Sequence, residues 1–130
     1  MLSAERAARL ARLVTRQRSD GSRSARAWRA WQSLAEAGDR GDQNAIGAVW
    51  QAWLRDPGDE LWEALTRWRE PGLLADEACR AATDRRRTVE QRAAIQDFCA
   101  RRGLAPRDET QRALFYVLTG QSAEYWAVST

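Results

Sequence analysis

Apolar residues recur along this chain at intervals of three and four, and most runs are bracketed by residues that start or stop a helix. Ile46, Val49, Trp50, Trp53 and Leu54 fall at i, i+3, i+4, i+7 and i+8, the stripe of an amphipathic helix. Asp42 is placed to cap that helix. Its end is predicted at Asp56, because Pro57 disfavours helical geometry in the residue before it and Gly58 supplies a turn. A second helix opens with Asp59, Glu60 and Glu63, acids that suit the positive end of a helix, and carries Leu61, Leu65 and Trp68 on one side. Pro71 and Gly72 are expected to stop it. Two helices joined by so short a connection form an αα-hairpin.

The same grammar extends in both directions. Ser3 caps a first helix striped by Ala7, Leu10, Leu13 and Val14, and Trp28, Trp31, Leu34 and Ala35 stripe another over about 24–37, ended by Gly38. Downstream, 73–83 reads as a short helix with Leu74, Ala78 and Ala81 aligned, and residues 84–87 as a charged connection. Thr88 and Gln91 form a capping box for a helix with Ile95, Phe98 and Cys99 on its stripe and Gly103 as terminator. Six consecutive apolar residues, Ala113 to Leu118, are compatible with a buried strand, but Asp108 and Glu109 before them and Gly120 after them favour a helix. No period-two alternation elsewhere offers a strand a partner.

The expectation is an all-α fold of about seven short helices arranged as stacked hairpins, either a solenoid or a bundle. Residues 43–70 make the clearest hairpin and 88–119 a second. A single domain over 1–130 is expected, with 1–23 as a basic helical arm and linker and 24–130 as the body. SDGSRS at 19–24 is the most linker-like segment. After Gly120, Ser122 is placed to cap a last turn bearing Tyr125, Trp126 and Val128. Those aromatics either plug the final groove against Phe115 and Leu118 or meet a partner or second copy; contact with a partner or second copy is the favoured expectation.

Charge changes this picture at the amino-terminal end. Residues 1–30 hold eight arginines against Glu5 and Asp20, a net of +6, whereas the remaining thirteen arginines face sixteen acids, a net of −3. Arg9, Arg12 and Arg16 share the side of the first helix turned away from Leu10 and Val14, as a phosphate-tracking surface requires, with Arg6 nearer the apolar edge. A solvated face gives the same pattern. The arginines at 85–87 stand among acids and read as solubility. No apolar run approaches the roughly 20 residues that span a bilayer. The start of the chain lacks the apolar stretch of a secretory signal, though an Arg-rich amphipathic start is also the composition of an organelle transit peptide. The chain reads as cytoplasmic.

Chemistry is bounded by what is missing. The sequence has no histidine and no lysine. Ser-His-Asp and Cys-His nucleophiles, HExxH metal sites, Schiff bases and P-loop lysines are thereby excluded. What remains to an enzyme is carboxylate chemistry from Asp59, Glu60 and Glu63, or from Asp76 and Glu77. The first three have an ordinary role at a helix start, and the last two, being adjacent, point apart. Cys79 and Cys99 read as small buried side chains, a bridge between them being the alternative. No catalytic residue, cofactor or metal site is expected. Among the tryptophans, Trp31, Trp50, Trp53 and Trp68 lie on helix stripes and read as core, while Trp62, beside Leu61, is the candidate for a partly exposed aromatic on a binding groove.

Two stretches, VWQAWLRDPGDELWEALTRWREPG at 49–72 and QRALFYVLTGQSAEYWAV at 111–128, resemble helical repeat modules of HEAT-like character found in large actinobacterial proteins, often beside WD40-type propellers. The resemblance implies a bacterial, non-enzymatic scaffold that binds another protein or domain; the candidate contacts read from the residues themselves are Trp62, Tyr125 and Trp126, with self-association through the carboxyl-terminal edge as one form of it. The alternative is a sequence-independent nucleic-acid-binding module working through Arg6, Arg9, Arg12 and Arg16.

Overall fold

A computed structural model describes residues 1–15 and 23–120. Among them are seven α-helices and no strand: α1 (Ala4–Val14), α2 (Ala25–Asp39), α3 (Gln43–Arg55), α4 (Asp59–Trp68), α5 (Pro71–Ala82), α6 (Val89–Arg102) and α7 (Glu109–Thr119). The fold is all-α, as the periodicity predicts. No described helix is long and apolar enough to cross a membrane.

Side-chain caps set most of the starts. Ser3, Ser24, Asp42, Glu70, Thr88 and Asp108 each accept from backbone N–H groups of the first turn that have no partner within the helix. Two boundaries differ from expectation. Helix α2 runs through Gly38 to Asp39, and the turn is made by Gly41 at φ 83°. Gly38 is buried where a Cβ would overlap the Trp68 ring, so this glycine serves close packing rather than helix termination. Pro71 does not end α4, which closes at Trp68; it opens α5, where its missing N–H would have had no helical partner in any case.

Packing divides the chain into two compact units, Met1–Trp68 and Arg69–Thr130. In the first, α1 lies on α2 and α3, and α4 packs on α3 and α2. Small residues Ala7, Ala11, Ala27, Ala30 and Ala45 let these helices approach, and Leu34, Ile46, Val49 and Leu65 fill the space between. At the centre Trp53 is fully buried, stacked on Trp50 at 5.3 Å between ring centroids and tilted against Trp62 at 5.1 Å. Each such ring removes on the order of 150–250 Å² from water, so the tryptophans carry much of the hydrophobic stabilisation. The segment before α1 is fastened to α3. The Leu2 N–H donates to Asp42 Oδ2 at 2.7 Å, and Asn44 Nδ2 donates to the Leu2 carbonyl at 2.9 Å.

In the second unit α5 and α6 pack along each other through Leu74, Ala78 and Cys79 on one side and Ile95, Phe98 and Cys99 on the other. The Gln96 side chain donates to the Ala82 carbonyl at the end of α5, at 2.8 Å. Helix α6 ends in a Schellman arrangement: Gly103 is left-handed at φ 66°, and the Leu104 N–H reaches back to the Cys99 carbonyl at 2.8 Å. The Arg107 N–H donates to Asp76 at 2.9 Å and its guanidinium pairs with Glu70, anchoring the segment that leads into α7. Phe115 is the one buried residue among the described positions of α7. The hairpin expected at 88–119 is thus corrected: the extended pairing is α5 with α6, and Phe115 is the one side chain that α7 buries among the described residues.

Candidate docking surface

Helix α7 is apolar around most of its circumference but rests on only one side. Phe115 goes inward, while Leu114 and Leu118 are about half exposed and Val117 is 78% exposed. A helix apolar on all sides needs neighbours on all sides, and among the described residues these three side chains are covered only in part. Beside them, within the same unit, Asp76, Cys79 and Arg80 of α5 face Leu114, Phe115 and Leu118 across a cavity of about 110 Å³. One wall of this groove is charged and the other apolar.

The residues singled out from the sequence fare unequally. Trp62 is 3% exposed and packs on Trp53, so it presents no surface to a partner. The correction has a simple cause: the buried face of α4 is Leu61, Trp62, Ala64 and Leu65, centred between Leu61 and Leu65 and wide enough to include the position next to Leu61. Among the described residues the exposed tryptophan is Trp28, at 49%, although it lies on the apolar stripe predicted for its helix. The buried face of α2 is centred on Ala27, Ala30, Trp31 and Leu34, which leaves Trp28 at its margin. Arg6, Arg9 and Arg12 are all exposed and form no ion pair among the described residues. Arg16, Tyr125 and Trp126 lie outside the described residues, as do Ser122 and Val128.

Three of the five carboxylates considered for catalysis have partners that the structure identifies. Glu60 pairs with Arg23, Glu77 with Arg69 at 3.3 Å, and Asp76 accepts from the Arg107 backbone. Glu70 accepts from the Leu73 and Gly72 amides as well as from Arg107, and these hold its carboxyl below its ordinary value. Asp84 is lowered likewise, chiefly by a hydrogen bond from the Arg86 guanidinium. Among the described residues no group of three or more Cys, Asp or Glu side chains is gathered to hold a metal ion.

The exposed stripe on α7 had a signal in the sequence. Six apolar residues in a row on one helix necessarily spread around the full circumference. In comparisons with known proteins, no family model, no curated protein and no solved structure matches this chain.

Proposed function

We propose that the protein is a non-enzymatic helical interaction module of HEAT-like character, and that α7 is where it docks another protein. The observation that carries this reading is the uncovered stripe of Leu114, Val117 and Leu118 bordering the groove between α5 and α7. Exposed apolar side chains scattered singly are ordinary, but three within five residues of one helix mark an interaction surface. The three amount to roughly 300 Å² of apolar surface, the size of a functional patch. That is well short of the ~800 Å² per partner of a standard interface, which favours a short amphipathic segment of another protein over face-to-face pairing of two copies. The charged wall formed by Asp76 and Arg80 supplies polar groups to fix such a segment in register.

The test replaces Leu114 and Leu118 together by glutamate, leaving Phe115 in place. Helical content should be kept, and a protein that co-purifies with the wild type from its own host should be lost and should fail to bind the purified variant. Retention of every partner by a folded double variant overturns the reading. A wild type that light scattering shows to be a dimer, converted to monomer by the same changes, replaces the partner by a second copy.

A second reading is favoured by the arginines of α1. Arg6, Arg9 and Arg12 are exposed without acidic partners among the described residues, which suits contact with a phosphate backbone. Under this reading nucleic-acid binding is sequence-independent, falls steeply with salt, and is abolished by changing these three residues to glutamine. Salt-insensitive binding, or binding kept by the triple variant, rules it out.

A further inference from the structure

Arg80 on α5 is exposed and lines the groove that Leu114 and Leu118 of α7 border on the other side. Acids stand near it along the chain at Asp76, Glu77 and Asp84, three or four residues away, and the fold engages each of them elsewhere. Asp76 accepts the Arg107 N–H at 2.9 Å, Glu77 pairs with Arg69 at 3.3 Å, and Asp84 takes the Arg86 guanidinium at 3.1 Å. Asp108, at the start of α7, accepts the Gln111 N–H at 2.9 Å as the cap of that helix. Among the described residues the Arg80 guanidinium forms no ion pair.

An unpaired arginine on an open surface is hydrated and needs no explanation. This one stands beside the apolar side chains that an occupant must cover. Any chain laid over Leu114 and Leu118 takes water from the neighbouring guanidinium, and a charge that loses water without gaining an acceptor opposes binding. We infer that the segment of another protein that docks on α7 is acidic as well as amphipathic, and places an aspartate or glutamate carboxylate on Arg80 among the apolar side chains that cover Leu114 and Leu118. The inference rests on the reading of α7 as a docking surface and supplies the chemistry of what docks there.

The groove also selects the kind of anion. A planar guanidinium matches a carboxylate through two parallel hydrogen bonds. Asp76 and Asp108 line the same groove, so a doubly charged phosphate or a nucleic-acid backbone is repelled there more strongly than one carboxylate. A small free carboxylate satisfies Arg80 but leaves the stripe open, because Val117, 78% exposed, stands outside the cavity of about 110 Å³. A peptide segment does both: its apolar residues cover the stripe while its acid meets the arginine.

The experiment selects a displayed library of short random peptides on the full chain, and then measures a recovered peptide, made with a fluorescent label, by anisotropy. Recovered peptides should carry aspartate or glutamate flanked by large apolar residues at helical spacing, and should fail to bind the folded Leu114→Glu, Leu118→Glu variant. Arg80→Gln, whose folding is checked by circular dichroism, should weaken binding by about tenfold or more, the worth of a charge-assisted hydrogen bond. Changing the peptide's acid to its amide should weaken binding to the wild type to the same degree and have little further effect on Arg80→Gln, since the two changes remove one interaction. Selection on Arg80→Glu should recover lysine or arginine in place of the acid. Peptides that need the leucines but bind Arg80→Gln as well as the wild type overturn this inference and leave the docking surface standing. Peptides indifferent to the leucines, or none recovered at all, overturn the docking reading and this inference with it. A wild type that light scattering shows to be a dimer split by Arg80→Glu puts a second copy in the groove and overturns the inference as well.

Discussion

Single residues in this protein act mainly through what they allow a neighbour to do. Gly38 and Gly47 both sit inside helices, where alanine is ordinarily better by about 1 kcal/mol. A Cβ on Gly47 meets nothing within 4 Å, whereas one on Gly38 overlaps the Trp68 ring, whose Nε1 donates to Asp39 at 2.8 Å. Gly47→Ala should therefore stabilise by roughly 0.5–1 kcal/mol. Gly38→Ala should destabilise by about 1–2 kcal/mol, because overpacking at a closed contact outweighs the helix preference. Urea unfolding followed by tryptophan fluorescence reads both, and equal signs would refute the packing account.

Asp42 is a second case. It is the one polar side chain buried among the described residues, and the Leu2 amide, together with those of Ala45 and Asn44, holds its carboxyl below its ordinary 3.8. A carboxyl that is more acidic when folded contributes stability fully above its unfolded value and loses it as the pH falls through the lower folded one. The attachment of the first residues to α3 should hold at neutral pH and release only in acid, below the ordinary aspartate range. Asp42→Asn, which keeps a capping oxygen but puts an amide where Leu2 donates, should release it at every pH. Amide hydrogen exchange at Leu2 and along α1 gives the comparison.

At the scale of elements, the caps matter most where the apolar pattern is weakest. Helix α6 carries polar and charged residues around much of its surface and places only Ile95, Phe98, Cys99 and Ala100 inside. Its start depends on a reciprocal pair: the Gln91 N–H donates to Thr88 Oγ1 at 3.1 Å, and the Thr88 N–H donates to Gln91 Oε1 at 3.3 Å. Thr88→Ala removes half of this and should lower stability by about 1 kcal/mol. Thr88→Ser should restore it, which distinguishes capping from packing. Helix α7 is the opposite case, with good signals at both ends and little packing. Its αL residue Gly120 and its cap Asp108 define where it runs, and Phe115 is the one side chain it buries among the described residues.

For the molecule as a whole, each of the two compact units buries a large ring, Trp53 in the first and Phe98 in the second. Trp53→Ala should cost about 3–5 kcal/mol, as deletions of large buried rings do. Because its contacts to Trp50 and Trp62 lie within residues 1–68, loss of amide protection should concentrate there and spare α5 and α6. Hydrogen exchange with mass spectrometry resolves this, and uniform loss along the chain would show that the units unfold as one. Charge belongs to this scale too: the +6 of residues 1–30 against the −3 of the remainder is a property of the sequence. The structure adds that α1 is packed into the first unit, so its exposed arginines are carried on an ordered helix.

Helix existence and most helix ends were legible from residues alone, because caps, prolines and left-handed glycines act on their immediate neighbours. Ser3, Asp42, Thr88 with Gln91, Gly103 and Gly120 each do in the structure what their local chemistry dictates. Local chemistry was ambiguous where two meanings share one residue: Pro71 suits the first turn of a helix as well as the end of another, and Gly38 suits close packing as well as termination. Which tryptophan faces solvent was not local at all. Trp28 lies on a predicted apolar stripe and Trp62 beside one, and only the position and width of the surface against which each helix packs decides that the first is exposed and the second buried. The same holds for the pairing of α5 with α6 and the open side of α7. Helical periodicity fixes which residues share a face, but which face finds a neighbour depends on helix approach and loop reach, and these exist only once the chain has packed.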